Sequence, residues 1–440
     1  MSKVFIKTYG CQMNERDSEA VVCKLLESGH EITDSEESAD VVLLNTCSVR
    51  EKAEQKAIGK ASRILNRSSG SKPTLGIIGC MAQNRGDSLF KELPGLDLVV
   101  GTQKFHRISE LLDKAGSNSK IIELGEEHGS QNEIRHHVSK KNGPSAFVSI
   151  MQGCNMNCSF CIVPKTRGTE RYRPMEEIVN EISDLVEMGV KEVTLLGQIV
   201  NAYGRGEFPR ISGKTPFVQL LERIHKIEGI ERIRFTSPHP IAFGSDLIDA
   251  FESLPKLGSY AHLPMQSGSN RILKAMNRPY KIEKFLRIVS SLRDKVPAMR
   301  ISTDVIVGFP GESLEDFELT KEAFIQAGFE MGFIFKYSDR SGTPSVGFED
   351  KVEIKELERR NQELLQLLEG QSYASNQKLV GTKVEVLVEG HARKGEGQLM
   401  GRTSCFRKVN FLGDAALIGD LRHIYITNAT TSSLQGDLVL

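Results

Sequence analysis

The chain has 440 residues, of which 57 are Lys or Arg and 57 are Asp or Glu, so its formal net charge is zero. At roughly 150 residues per domain this length predicts about three domains, and the ordinary apolar content excludes disorder, collagen-like repeats and coiled coil as the main architecture. A net charge of zero gives no global attraction to nucleic acid, so any RNA binding must come from local patches. Apolar runs of only four or five residues, and a start without an apolar signal region, lead us to expect a soluble cytoplasmic protein.

Eight cysteines are the most informative residues of the sequence. In a cytoplasmic protein they are not expected to form disulfides. Three lie close together near residue 158, and three others each follow a short apolar run. The remaining two, Cys23 and Cys405, are predicted to be ordinary packing residues.

Residues 1–117 alternate short apolar runs with amphipathic stretches, and the runs end shortly before Cys11, Cys47 and Cys80. This alternation predicts strands and helices in turn, hence an α/β domain with a parallel sheet. Ligands of such sheets gather beyond the carboxyl ends of the strands, where all three cysteines are expected. Their spacing alone leaves two interpretations open, a shared metal cluster or three buried thiols.

Residues 118–143 are polar and without periodicity, which predicts a linker, and the His136–His137 pair within it is interpreted as solvated rather than metal-binding. Residues 144–370 repeat the strand–helix alternation on a larger scale. Six such units predict a partial (β/α)6 barrel, whose chemistry would lie on loops at the carboxyl ends of the strands. The predicted strands are 146–151, 192–196, 232–236, 259–263, 300–307 and 331–336.

The last part of the chain changes character. A charged amphipathic helix at 350–378 is predicted to connect the central barrel to the C-terminal region. Residues 371–440 contain short β-prone runs broken by Gly and Asp, a pattern typical of a small antiparallel barrel of the oligonucleotide-binding type. The charge balance of this tail gives only weak support for RNA binding.

The strongest chemical signal is the spacing Cys154-x3-Cys158-x2-Cys161. Three thiolates in one loop can share a metal centre, since thiolate is the soft ligand of iron–sulfur clusters and zinc. Structural zinc needs a fourth protein ligand, and no Cys or His follows soon after the third cysteine. We therefore predict an iron–sulfur cluster with one open position, with structural zinc and inert buried thiols as alternatives.

This loop, placed after the first strand of a six-unit barrel, is similar to the cluster loop of radical S-adenosylmethionine (SAM) enzymes. The whole chain resembles the methylthiotransferases within that superfamily. The motifs that carry the resemblance are YGCQMN at 9–14, NTCSVREKAEQK at 45–56, IIGCMAQ at 77–83, SAFVSIMQGCNMNCSFCIVPKTRGTERYRP at 145–174 and GRTSCFRKVNF at 401–411.

The resemblance implies two [4Fe–4S] clusters and two SAM molecules per turnover. The catalytic cluster would be held by the cysteines at 154, 158 and 161 and would chelate SAM. The second cluster would be held by the cysteines at 11, 47 and 80. The tail would be a TRAM domain. It also implies a low-potential electron donor of unknown identity and a monomer without membrane contact.

The motif Tyr9-Gly10-Cys11-Gln12-Met13-Asn14 resembles the family members that modify tRNA. The expected reaction is methylthiolation at C2 of an isopentenylated adenosine beside the anticodon. The nearer alternative is the same reaction on threonylcarbamoyladenosine tRNA or on a ribosomal protein. The remote alternative is a non-catalytic iron–sulfur protein that binds RNA or transfers electrons.

Two further groups of residues are weaker candidates. The loops carrying Gly197, Gln198 and Gly308 are expected to line the SAM site, although tight turns explain the glycines equally well. A basic loop after the third cysteine is interpreted either as a contact to tRNA phosphates or as a solvated charged loop. Its candidate RNA contacts are Lys165, Arg167, Arg171 and Arg173.

Overall fold

The computed structural model of the chain describes residues 1–49, 51–67, 72–115, 120–127 and 143–439. These residues form a parallel-sheet domain, a partial barrel of parallel strands and a small closed barrel, in chain order. The predicted fold class is therefore confirmed. Within the described ranges, no helix has both the length and the apolar character needed to cross a membrane.

The N-terminal domain is built on a parallel sheet covered by helices on both faces. In sheet order, its strands are Glu31–Ile32, Lys3–Tyr9, Val41–Thr46, Thr74–Ile78, Leu98–Val100 and Ile121–Glu123. Its helices are Gln12–Glu27, Glu51–Leu65, Cys80–Arg85, Ser88–Glu92 and Ile108–Ala115, with a 3₁₀ turn at Phe105–Arg107.

The central strand Val41–Thr46 explains why this domain has two helical layers. Every residue of the strand is buried. Successive side chains of a strand point to opposite faces, and Leu43 shares a core with Val21 while Leu44 shares another with Ala57. A continuous apolar run is what a strand covered on both faces requires.

The predicted linker 118–143 is partly wrong, because Ile121–Glu123 pairs in parallel with Leu98–Val100 as the edge strand of the sheet. A strand of three residues is too short to give a periodic pattern within a polar stretch. It is recognised only by its pairing with the neighbouring strand. Residues 128–142, which include His136 and His137, lie outside the described residues.

The central barrel consists of two three-stranded parallel sheets, linked by a bridge between Ile233 and Leu257. All six predicted strands are confirmed. They are Ser145–Ser149, Glu192–Leu196, Arg232–Phe235, Tyr260–His262, Arg300–Val307 and Met331–Lys336. The helices are Val163–Arg167, Met175–Glu187, Pro216–His225, Ser245–Ser253, Asn270–Ala275, Ile282–Lys295 and Leu314–Ala327, with 3₁₀ turns at Val200–Ala202, Pro240–Ala242 and Pro344–Gly347.

The predicted connector is confirmed as the helix Ile354–Gln377, whose Leu364 and Leu368 join the core of the central barrel. It leads into a closed five-stranded barrel. In barrel order the strands are Lys383–His391, Gln398–Thr403, Lys408–Leu412, Leu434–Leu438 and Leu421–Ala429. Only the pairing of Lys408–Leu412 with Leu434–Leu438 is parallel among the described strands of this barrel, and the others are antiparallel.

The small barrel covers the amino end of the central barrel. Arg234 donates to the carbonyls of Thr403 and Ser404 at 2.8 and 2.9 Å, and Arg300 donates to the carbonyl of Phe406 at 3.0 Å. These arginines lie on strands of the central barrel, and Arg300 is the first residue of its strand. The opposite, carboxyl end of the barrel is thus the end left for chemistry.

Candidate metal centres

The loop with Cys154, Cys158 and Cys161 is enclosed by a short antiparallel ribbon, in which Met151–Gln152 pairs with Arg171–Tyr172. All three thiols are free, the first two are buried and the third is half-buried. Burial raises the pKa of Cys154 to about 11 and that of Cys161 to about 12. Such thiols lose their protons at neutral pH when a metal cation replaces them, so this donor set fits an iron–sulfur cluster.

Hydrogen-bond donors are aimed at the sulfur atoms of this loop. The Met156 amide lies 3.4 Å from Cys154 Sγ, and Arg278 Nη1 lies 3.4 Å from Cys158 Sγ. Donors to ligating sulfurs stabilise the thiolate and tune the potential of a cluster. Arg278 is a functional candidate that the sequence interpretation missed, because it follows Cys158 by 120 residues and no local pattern connects the two.

The loop after strand Glu192–Leu196 forms one wall of this site. Ile199 and Ala202 pack with Cys154 in a small apolar cluster. Gln198 Oε1 is buried and has no hydrogen-bond partner among the described residues. A buried acceptor without a partner is costly, which supports a ligand donor at this position.

The two glycines predicted to approach SAM are explained by packing. A Cβ at Gly197 would lie 2.6 Å from Cγ of Met151. Gly308 has a φ of 69°, and a Cβ there would lie 2.9 Å from Cγ of Leu357 on the connector helix. Only glycine meets both demands at position 308. A contact of either glycine with SAM stays a prediction.

The second set of cysteines meets at the carboxyl edge of the N-terminal sheet. Cys11 caps helix Gln12–Glu27, Cys47 directly follows strand Val41–Thr46, and Cys80 opens helix Cys80–Arg85. The Cys11 and Cys47 thiols are hydrogen-bonded to each other, and Cys80 is close enough to act on Cys47 electrostatically. A Cβ at Gly10 would lie 2.6 Å from Cβ of Cys47, so the close approach of these two loops requires glycine.

The ionisation of this set is uneven. The hydrogen bond from Cys47, followed by the positive charge of Arg167, lowers the pKa of Cys11 to about 6. The same hydrogen bond and burial raise the pKa of Cys47, and burial raises that of Cys80. One thiolate is therefore available at neutral pH, and a cation is needed to ionise the other two.

The two cysteine sets lie on elements that contact each other. Helix Cys80–Arg85 packs against helix Val163–Arg167, which begins two residues after Cys161. The Thr102 hydroxyl donates to the Thr166 carbonyl at 2.6 Å across the same boundary. Among the described residues, no three His, Cys, Asp or Glu side chains are arranged to hold a single metal ion.

The basic loop is placed differently from the RNA-binding prediction. Arg167 and Arg173 are 3% and 2% exposed and form ion pairs with Asp17 and Glu181, so neither guanidinium is presented to a phosphate. These two candidates are therefore wrong as RNA contacts in this structure. Their acidic partners Asp17 and Glu181 lie elsewhere in the sequence, so the basic segment alone did not reveal them.

The other two candidates of this loop differ from each other. Arg171 is half-buried and donates to Gln103 Oε1 at 2.9 Å. Lys165 is exposed. Lys165 thus remains the member of the group that is best placed to meet a phosphate.

Three family models match the chain. The Radical SAM superfamily matches residues 148–324, Uncharacterized protein family UPF0004 matches residues 3–101, and the TRAM domain matches residues 377–439. The chain is 51% identical to the tRNA-2-methylthio-N(6)-dimethylallyladenosine synthase of Opitutus terrae, over 100% of this chain and 98% of that protein. It is 49% identical to the protein of the same name from Akkermansia muciniphila, over 99% and 98%.

Solved structures with a similar fold include TsrM, a radical SAM methyltransferase of Kitasatospora setae. Its complex with cobalamin and a [4Fe-4S] cluster matches with a TM-score of 0.58 at 12% identity, over 91% of this chain and 77% of that chain. At this identity the likeness shows the fold alone.

A radical SAM barrel between a UPF0004 domain and a TRAM domain, with a cysteine triad in each of the first two, defines a radical SAM methylthiotransferase. With the identity extending over the full length, the chain belongs to the family of tRNA-2-methylthio-N(6)-dimethylallyladenosine synthases. Membership of the radical SAM superfamily implies a [4Fe–4S] cluster and SAM.

Proposed function

We propose that this protein is a tRNA methylthiotransferase that converts N6-(dimethylallyl)adenosine beside the anticodon into its 2-methylthio derivative. Relatives that are 42–51% identical over most or all of the chain carry the name of this activity. The TRAM domain match is consistent with a tRNA partner.

One observation carries the proposal, the packing of the helix that begins at Cys80 against the helix that follows Cys161. This contact joins two elements that lie next to cysteine sets of different domains, which supports a shared reaction region. A transfer that uses two cofactors on one substrate depends on such proximity.

We assign Cys154, Cys158 and Cys161 to a [4Fe–4S] cluster with an open position for SAM. When bound, the clusters and SAM supply the one-electron chemistry and the methylthio group of the transfer. Arg278 and the Met156 amide would stabilise the thiolates of this first set.

The walls around the first set have their own roles in this proposal. Ile199 and Ala202 shield Cys154 from water, which protects a reactive intermediate from side reactions. Gln198 Oε1 would accept a hydrogen bond from bound SAM or substrate.

The other triad, Cys11, Cys47 and Cys80, is assigned to a second [4Fe–4S] cluster. Its Cys47 thiol receives an N–H donor in the same way, since the Val49 amide lies 3.3 Å from Cys47 Sγ. Two SAM molecules per turnover and a low-potential electron donor complete the proposed requirements.

The test is anaerobic reconstitution of the full chain, followed by iron, sulfide and 5′-deoxyadenosine measurements on wild type and two variants. We expect about eight irons in wild type, and about four in Cys11→Ala with SAM cleavage retained. Cys158→Ala should abolish cleavage. About four irons in both wild type and Cys11→Ala would overturn the second cluster.

The substrate is tested separately with the same preparation. Mass spectrometry of nucleosides should detect the methylthio product with isopentenylated tRNA. The same assay should detect none with tRNA carrying threonylcarbamoyladenosine. The reverse result would contradict the assigned substrate while leaving the reaction type intact.

A further inference from the structure

The Arg167 side chain crosses from the central barrel into the N-terminal domain. Its guanidinium binds the Asp17 carboxylate through two parallel hydrogen bonds, Nη1 to Oδ1 at 3.1 Å and Nη2 to Oδ2 at 2.6 Å. Arg167 is 3% exposed and Asp17 is 4% exposed. This is the fork geometry in which Arg binds a carboxylate most specifically.

The same guanidinium reaches the cysteine set of the other domain. The helix that ends at Arg167 packs against the helix that begins at Cys80, and the charge of the guanidinium acts on the Cys80 and Cys11 thiols. The Arg167 backbone is fixed as well, because its carbonyl accepts from Gln103 Nε2 at 3.3 Å. A residue of the barrel thus supplies a positive charge to cysteines held by a different domain.

The chemistry of a guanidinium suits this double contact. Arg has five N–H donors in a rigid plane, so two can hold a carboxylate while others face a sulfur. Positive charge and hydrogen bonds at the sulfurs of a cluster stabilise its reduced, more negative form and raise its potential. The Asp17 carboxylate opposes this effect through its own charge.

On the basis of the proposed function, we propose that Arg167 is a positioning residue that the radical SAM barrel provides to the cluster of Cys11, Cys47 and Cys80, and that it raises the reduction potential of that cluster. The Asp17 carboxylate orients the guanidinium toward Cys80. The second cluster then reaches its raised reduction potential only when the two domains are docked.

A purely structural ion pair is the competing explanation, and the chain offers a matched control. Glu181 of the barrel domain contacts Arg16 of the N-terminal domain at 3.5 Å and Arg173 at 2.6 Å. All three side chains are less than one-tenth exposed. Glu181 thus joins the same two domains through arginine partners.

The experiment uses the full chain with Cys154, Cys158 and Cys161 replaced by Ala, so that only the second cluster contributes to the spectrum. Redox titration followed by electron paramagnetic resonance gives its midpoint potential. We expect Arg167→Met to lower the potential, and Arg167→Lys to lower it less because the charge is kept. Asp17→Asn should raise it, and Glu181→Gln should leave it unchanged.

Opposite shifts in Arg167→Met and Asp17→Asn are the expected result, since loss of packing alone would not reverse sign. If both variants retain iron and share the wild-type potential, the inference is overturned. It is also overturned if Glu181→Gln shifts the potential as much as Arg167→Met does. Absence of a second cluster in the parent protein would instead contradict the proposed function.

If Arg167→Met does not bind iron, the midpoint potentials of the other two variants test the proposal. A higher potential in Asp17→Asn and a lower one in Arg167→Lys support it, and the absence of both shifts overturns it.

Discussion

Phe406 of the small barrel stacks on Tyr260 of the central barrel, with ring centroids 5.0 Å apart and ring planes inclined by 26°. The guanidinium carbons of Arg234 and Arg402 lie 4.9 and 4.8 Å from the centroid of the same Phe406 ring. Phe406 also holds a φ of 64°, which is uncommon for an aromatic residue. One aromatic residue with an uncommon backbone conformation thus anchors the C-terminal domain at the amino end of the barrel.

Phe406→Ala should weaken this anchor. Loss of a stacked ring pair and two cation–π contacts predicts a fall of about 2 kcal/mol in the free energy of unfolding of the docked protein. Limited proteolysis between the connector helix and the small barrel, near residues 378–382, should become faster. Thr427→Ala, on an exposed position of the small barrel, is the control, and equal cleavage rates for the two variants would contradict the prediction.

Arg360→Met should be strongly destabilising. Arg360 Nη1 lies 2.7 Å from Glu312 Oε2, and the Glu312 side chain is fully buried. Burial raises the pKa of Glu312 even with this partner. Removing one member of a buried pair typically costs about 3–5 kcal/mol, which urea unfolding would measure.

Arg359→Met is the matched control for this pair, because Arg359 is half-exposed and binds Glu356 and Glu363 on the helix surface. We expect it to change the free energy of unfolding by less than about 1 kcal/mol. Similar losses of unfolding free energy in Arg360→Met and Arg359→Met would show that burial does not determine the contribution of these ion pairs.

Gly308→Ala should destabilise the loop between the barrel and the connector helix. Its φ of 69° and the 2.9 Å approach to Leu357 both oppose a Cβ, so a loss of about 1–3 kcal/mol is expected in thermal unfolding. Gly59→Ala is the opposite case, since a Cβ at this helical position meets nothing within 4 Å. It should stabilise by about 0.5–1 kcal/mol, and a loss there would contradict the argument.

His239 predicts a pH dependence of stability. Burial, followed by the positive charge of Arg278, lowers its pKa from 6.5 to about 3. Below pH 6.5 the His239 imidazole therefore binds a proton in the unfolded chain but not in the folded chain. The His239 contribution to the free energy of unfolding is complete above pH 6.5 and is lost as the pH falls toward 3, by at most about 1.4 kcal/mol per pH unit.

The measurement is the difference in unfolding free energy between wild type and His239→Asn across this range. The stability of wild type relative to the variant should fall on acidification. A constant difference would contradict the assignment. His423→Asn, at an exposed position of the small barrel, controls for the loss of a histidine as such.

Local patterns predicted the strands well and the partners of the charged residues poorly. Glu192–Leu196, Arg300–Val307 and Met331–Lys336 have their predicted bounds. The first two are largely buried, as apolar runs of this length predict for strands between two layers. The six cysteines were predicted as cluster ligands from spacing and resemblance, and this role stays a prediction.

The role of Arg167 could not be predicted in the same way. It lies in a visibly basic segment, yet its partner Asp17 is 150 residues away. Arg278 is similarly remote from Cys158. Periodicity carries no information about which distant side chains meet, so only the folded arrangement reveals these contacts.

The 150-residue separation between Asp17 and Arg167 also bears on biogenesis. The N-terminal domain leaves the ribosome first, but Arg167, whose charge acts on the Cys80 thiol, is synthesised much later, as part of the next domain. On the proposed function, a cluster inserted into the N-terminal domain alone would lack this charge and the helix Val163–Arg167 that packs against the helix beginning at Cys80. We therefore expect the second cluster of the proposed function to be inserted after translation of the barrel.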